Sequence, residues 1–310
     1  MFFAKLIKKL LTKQTSVKVI PRIGGGLGNQ LFTYAAARRL ALVNRADLVL
    51  DDVSGFAYDT DYQRHYQLDH FNIPCRKATA AERLQPFARV RRNLVRRWNQ
   101  RKLFVKRAYL VQEGVDYDSR LLNVKPQRTI YLEGYWQSER YFKDVEEIIR
   151  SEFRIQPPQD QVNVDAAVHI RGTLAVALHV RFFDLPDELA GNNASVSYYS
   201  DAIVKMEALV PGAHYFVFSD RPDDALAMVP LAQDRVTLVG HNVGDAMAYA
   251  DLWLMTQCRH FIIANSTFSW WGAWLAQSPG KHVIAPGFEL RQGKMWWGFD
   301  GLLPHEWIKL

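Results

Sequence analysis

Three short segments carry side chains whose types and spacing suit an anionic ligand. In Gly24-Gly25-Gly26-Leu27-Gly28-Asn29-Gln30, glycines let the backbone approach a ligand closely before a helical pattern supplies outward N–H groups. Such a loop can cradle phosphate. It is not a dinucleotide fingerprint, because Asn29 stands where the third glycine belongs. His179-Val180-Arg181-Phe182-Phe183-Asp184 closes an apolar run, where a guanidinium can grip a diphosphate through two parallel hydrogen bonds. Asp184 would then act as a base or hold Arg181 in place, with His179 as the second candidate base. Asn265-Ser266-Thr267-Phe268-Ser269-Trp270-Trp271-Gly272-Ala273-Trp274 brings hydroxyls and helix N-terminal amides together. Each segment also has a purely structural reading: a tight turn, a strand-end ion pair, a helix cap. The three tryptophans read mainly as core, with an aromatic wall for a sugar ring as the other use.

The elements that must position these residues alternate in the α/β manner. Val17 to Ile23 reads as a strand, Asn29 to Val43 as an Ala-rich helix and Asp47 to Leu50 as the next strand. Ala78 to Lys106 reads as largely helical, punctuated by Pro86, and Glu139 to Phe153 as an amphipathic helix after a short strand at Tyr131 to Glu133. Leu174 to Val180 is nearly continuous in apolar residues, as a strand buried on both faces of a parallel sheet requires. Helices follow at Ser197 to Leu209, Asp245 to Gln257 and Phe268 to Ala276. Strands are expected at His214 to Phe218, Val236 to Val239, His260 to Ala264 and His282 to Ile284. Pro157 and Pro158 mark a linker at 156–165, so two domains are expected, 1–156 and 166–310.

Composition sets the outer limits. With 48% hydrophobic and 23% charged residues the chain is a folded protein and not a disordered one. Cys75 and Cys258 are far apart and match no metal or redox spacing, which points to free thiols in a reducing compartment. No apolar run reaches the roughly 18 residues that cross a bilayer, and the expectation is a cytoplasmic protein. The net charge of +7 is concentrated. Met1 to Arg22 holds six basic residues and no acid, and Arg76 to Arg107 holds twelve against Glu82 alone, so the rest of the chain is acidic. Met1 to Lys13 has the pattern of a basic amphipathic helix able to lie on an anionic membrane face, the alternative being a solvated tail. Arg76 to Arg107 would suit a nucleic acid, a membrane or an acidic carrier, or be a solvated helical face.

Taken together the segments resemble glycosyltransferase family 11, the bacterial-type alpha-1,2-fucosyltransferases. The likeness rests on Gly25 to Phe32, Glu133 to Phe142, His179 to Asp184, Phe218-Ser219-Asp220 and Ile262 to Trp274, in the family's order. It implies a GT-B-like pair of Rossmann-type domains facing a cleft. It further implies an inverting, metal-independent transfer of fucose from GDP-fucose to a galactose hydroxyl of a glycan, with GDP held mainly by the C-terminal domain. By the same resemblance Gly25, Gly26, Gly28, Asn29 and Gln30 close over the donor and Arg181 binds the diphosphate. Ser219, Asp220, Asn265, Ser266, Thr267 and Phe268 complete the donor site. The family usually shows two adjacent arginines in the second motif, whereas Phe182 follows Arg181 here. Arg221, next to Asp220, is the candidate to supply the missing charge.

Three rivals weigh against this reading. Asp59-Thr60-Asp61 and Asp116-Tyr117-Asp118 spell the D-x-D of metal-dependent transferases, though neither follows a strong strand. A nucleic-acid or membrane-surface binder explains the basic stretch and leaves the three segments idle. A nicotinamide oxidoreductase is undercut by the broken glycine fingerprint.

Overall fold

A computed structural model describes residues 17–60, 62–182, 193–287 and 297–310. The first half contains β1 (Lys18–Pro21), α1 (Leu27–Val43), β2 (Asp47–Leu50), β3 (Arg76–Lys77), α2 (Ala88–Gln100), β4 (Tyr109–Val111) and β5 (Ile130–Glu133). Its strands are all parallel, in the order β3-β2-β1-β5-β4. After α3 (Glu146–Glu152) and α4 (Gln161–Gly172) the second half runs β6 (Ala175–Val180), α5 (Val196–Leu209), β7 (His214–Ser219), α6 (Pro222–Ala227) and β8 (Val236–Val239). It ends with α7 (Ala248–Gln257), β9 (His260–Ile262), α8 (Thr267–Leu275), β10 (Val283–Ala285) and β11 (Ile308–Lys309). These six strands are also parallel, ordered β11-β10-β9-β6-β7-β8.

In both sheets the chain winds from a central strand to one edge and then fills the other side, and open α/β sheets bind ligands just beyond the strand ends where the two sides meet. In the first sheet they meet between β1 and β5, so the loop after β1, with Gly24 to Gly26, meets the loop after β5, with Tyr135. In the second they meet between β6 and β9, which brings Arg181 beside Ser266 and Thr267. Every residue of β6 is buried, as its apolar run requires.

The halves share one core. Val19, Leu132 and Phe142 from the first sheet's side belong to the same buried cluster as Ala177, Phe261 and Trp271. The seam is α1 against α8. Phe32 lies 4.5 Å from the Trp270 ring and 4.8 Å from Trp271, and Trp271 Nε1 donates to the Gly28 carbonyl at 3.0 Å. This explains why α1 is buried nearly all round, including Leu31, Phe32, Tyr34, Ala35, Ala36 and Ala37. The three tryptophans are therefore core, each with its indole N–H bonded: Trp270 to the Leu302 carbonyl and Trp274 to Glu139, besides Trp271 to Gly28.

Several expectations are corrected. The 78–106 region is not one long helix: Arg76 and Lys77 form β3, and Phe87 sits at φ 63°, so α2 begins only at Ala88. The 139–153 region breaks into 3-10 turns at Glu139–Tyr141 and Lys143–Val145 before α3, with Tyr141 and Phe142 both buried. The stretch read as linker is irregular only to residue 160. Asp160 accepts the Asn163 N–H at 2.9 Å and so starts α4 inside it. The amphipathic pattern of Met1 to Lys13, and Asp61 and Asp184, lie outside the described residues.

Candidate functional site

A cleft of about 910 Å³ opens between the two sheets' carboxyl ends, within the size range of small-molecule sites. Gly25, Gly26, Gly28 and Asn29 form one wall with Tyr135, while His179, Arg181, Ser219, Asp220, Ser266, Thr267 and Phe268 form the other. Three segments far apart in sequence thus meet. Gln30, Arg221 and Asn265 do not line it.

Arg181 is anchored for its task. Its guanidinium pairs with Asp220, whose other carboxylate oxygen accepts the Phe182 N–H at 3.0 Å. The expected brace, Asp184, is not needed for this role. The two side chains are mostly covered, although the Asp220 backbone is exposed, and the pair fixes the guanidinium in direction. Opposite them stands the start of α8. The Ser266 hydroxyl caps the helix by accepting the Phe268 N–H at 3.3 Å. An anion placed there meets a guanidinium and the first N–H groups of a helix together.

The cleft walls are tied across the seam. Asn29 Oδ1 accepts from Thr267 Oγ1 at 3.1 Å and from Gln137 Nε2 at 2.8 Å. Gly28 permits this approach, since a Cβ there would come within 2.5 Å of the Thr267 carbonyl carbon and 2.6 Å of its hydroxyl oxygen. Gly25 adopts φ 71°, and a side chain there would strike the Tyr135 hydroxyl at 2.9 Å. At the rim Arg64 pairs with Asp245 at 2.5 Å; away from the lining, His70 of the first half stacks on Tyr249 of the second with ring centroids 3.7 Å apart.

Other predicted residues take different parts. Gln30 is a brace, fully buried, donating to the Gly25 and His65 carbonyls and accepting the Gln67 N–H. Arg221 is exposed and turned to Asp224 one turn along α6, its guanidinium 5.0 Å from the Phe182 ring. The residue standing in the usual second arginine's place therefore packs against Arg221 rather than leaving the cleft to it. His179 lines the cleft but is a poor base: burial, then the Arg181 charge, pushes it down to about 3. Its Nδ1 is 2.9 Å from the Ser269 hydroxyl.

Of the acidic triplets, Asp59 lines the cleft, and the described carboxylates are engaged by the protein itself. Asp59 accepts the N–H groups of Tyr62 and Arg64, Asp116 accepts that of Asp300, and Asp118 pairs with Arg120 at 2.7 Å. Among the described residues no three His, Cys, Asp or Glu side chains converge as metal ligands.

Sequence reasoning missed one corner of the site. Asp251, on α7, lines the cleft, and burial raises its carboxyl to about 7, against a hydrogen bond from Asn242 Nδ2 at 2.8 Å. The available signal was a carboxylate inside the otherwise apolar run Ala248-Tyr249-Ala250-Asp251-Leu252-Trp253-Leu254-Met255.

The model of glycosyl transferase family 11 matches residues 16–293. The chain belongs to glycosyltransferase family 11. It is 28% identical over 306 residues to an alpha-1,2-colitosyltransferase of Escherichia coli, covering 94% of this chain and 98% of that one. It is 31% identical over 291 residues to the Escherichia coli O-antigen biosynthesis glycosyltransferase WbnK, covering 85% and 92%. The solved fucosyltransferase NodZ from Bradyrhizobium overlays with a TM-score of 0.50 at 15% identity, over 84% of this chain and 92% of that one. This family 11 glycosyltransferase has the GT-B-like architecture that its motifs implied, two Rossmann-type units about a cleft. The glycine loop, the Arg181 strand end and the Ser266 helix start meet in that cleft.

Proposed function

We propose that this glycosyltransferase moves L-fucose from GDP-fucose onto a galactose hydroxyl of a glycan, forming an alpha-1,2 linkage with inversion and without a metal ion. The observation that carries the reading is Arg181, fixed by Asp220, facing the start of α8 in a cleft of sugar-nucleotide size. An acceptor hydroxyl attacks the anomeric carbon as GDP departs from the opposite face, through a state with oxocarbenium character. Negative charge grows on the departing diphosphate. Arg181 and the Thr267 N–H at the start of α8 are preorganised to receive it, the Phe268 N–H being taken by the Ser266 cap. Asp184 is assigned as the base for the acceptor hydroxyl from its sequence position, two residues beyond the Arg181–Phe182 strand end. The free thiols of Cys75 and Cys258 suit a reducing compartment.

The Asn242 and Asp251 corner is assigned to the nucleobase. Guanine presents an N1–H and an N2–H side by side, and one carboxylate accepts both. Accepting them requires the ionised form, whereas burial holds the Asp251 carboxyl at about 7. Binding below pH 7 must therefore expel a proton, so GDP affinity should fall about tenfold per pH unit on acidification below about 7. Calorimetry of GDP binding from pH 5 to 8 checks this, and the slope should vanish in Asp251→Asn.

A second reading replaces fucose with colitose, favoured by the likeness to a colitosyltransferase along 94% of the chain. Incubating the protein with either sugar nucleotide and galactose-terminated acceptors in EDTA, with the linkage read by NMR, decides between them. Transfer of fucose with an alpha-1,2 product is the expected result. Loss of all transfer in EDTA, restored by Mg²⁺ or Mn²⁺, refutes the metal-free reading.

A further inference from the structure

Outside the cleft, α2 presents an unusual outer face. Val90, Leu94 and Trp98, spaced four residues apart, form one stripe, with Phe87 at its head and Leu103 beyond its end. All five are exposed, Phe87 by 76% and Leu94 and Trp98 by 62% each. Arg91, Arg97 and Arg101 are exposed around the stripe, and Lys102 lies 3.9 Å over the Trp98 ring. The inner face is engaged: Arg92 reaches Asp51 at 3.9 Å and Arg96 pairs with Glu133. Between residues 83 and 107 there is no acid, and Glu82 is occupied by Lys18 and Arg76.

We propose that this face of α2 docks on an anionic lipid surface, as a peripheral membrane contact. Five large apolar side chains in water need a cover, and arginines ring them without acidic partners on the same segment. An anionic bilayer meets both conditions, taking Trp98, Leu94 and Val90 into the headgroup boundary while the guanidiniums reach phosphates. Lys102 over Trp98 suits the same interface, its stem along the ring and its charge in water. RNA fits less well, since Val and Leu neither stack on bases nor bond to phosphates. No described helix is long and apolar enough to cross a membrane, so the contact lies on the surface. Arg89 rests 5.5 Å over the Tyr58 ring, and Tyr58 lines the cleft, so docking sets the rim of the cleft at the headgroups.

The test is co-sedimentation of the full chain with phosphatidylcholine vesicles, with or without phosphatidylglycerol. Partitioning is expected only weakly on the neutral vesicles, by roughly a hundredfold, from three exposed arginines at the surface. The L94E/W98E variant should lose about tenfold or more on anionic vesicles. Its circular dichroism and its transfer to a soluble acceptor should stay unchanged. Brominated lipid should quench the wild-type protein more than W98F, which keeps its binding. Undiminished partitioning of L94E/W98E overturns the proposal, as does wild-type binding indifferent to lipid charge. Dimerisation through this face or binding of RNA, either one without vesicle binding, overturns it equally.

Discussion

Arg181→Ala is expected to lower turnover of the sugar nucleotide roughly a hundredfold to a thousandfold, the usual cost of removing one preorganised donor to developing charge. The side chain is held by Asp220, so the guanidinium is fixed in direction before the donor binds, which a mobile water would not be. Because the interaction strengthens as the diphosphate departs, kcat should fall more than KM rises. Arg181→Lys should recover only part of the loss, since an ammonium keeps the charge but not the parallel pair of N–H donors. Asp220→Asn should fall between wild type and Arg181→Ala, because it frees the guanidinium to wander without deleting it. Steady-state kinetics across these variants is the check, and near-normal turnover of Arg181→Ala would remove the centre of the proposed mechanism.

Gly28→Ala should be nearly as damaging for a different reason. The added methyl would sit 2.5 Å from the Thr267 carbonyl carbon, which is backbone and cannot rotate aside. The helix starts of α1 and α8 must separate, straining the Trp271 to Gly28 bond and the Asn29 to Thr267 bond together. Overpacking of this kind costs about 1–3 kcal/mol or somewhat more. Thermal unfolding should come at a lower temperature, and calorimetry should show weakened GDP binding, since Thr267 and Phe268 move with α8. Unchanged melting and binding would mean that the seam yields more easily than its geometry indicates. Gly26 is the natural control for melting alone, since a Cβ there meets nothing within 4 Å but would project from a cleft-lining residue.

The parts of this molecule legible in its sequence are those written in local pattern. The apolar run of β6, the glycine turn into α1 and the capped start of α8 each announce themselves within ten residues, and their order carries the family. Elements set by distant contacts do not. β3 and β11 are two residues long and exist only because a neighbouring strand accepts them. The Arg64 to Asp245 pair joins positions 181 residues apart. Arg221 was attractive because it follows Asp220, yet it starts α6 and its nearest acid is Asp224 three residues on, so adjacency in sequence did not become adjacency in the cleft. Asp251 was hidden by the opposite effect, an apolar context that reads as pure core. The α4 start at Asp160 is a local cap signal, but Pro157 and Pro158 just before it carry the stronger signal of a linker.

The α1 to α8 seam limits how relatives of this protein can be recombined. Phe32, Trp270 and Trp271 are supplied by different halves and fill a single space, with Gly28 setting how near the two helices come. A chimera that takes its N-terminal half from one relative and its C-terminal half from another must still match its partners at that joint. Exchange of specificity between such enzymes should therefore succeed by grafting surface loops, or by carrying both helices together as one module, and not by a cut at the middle of the chain.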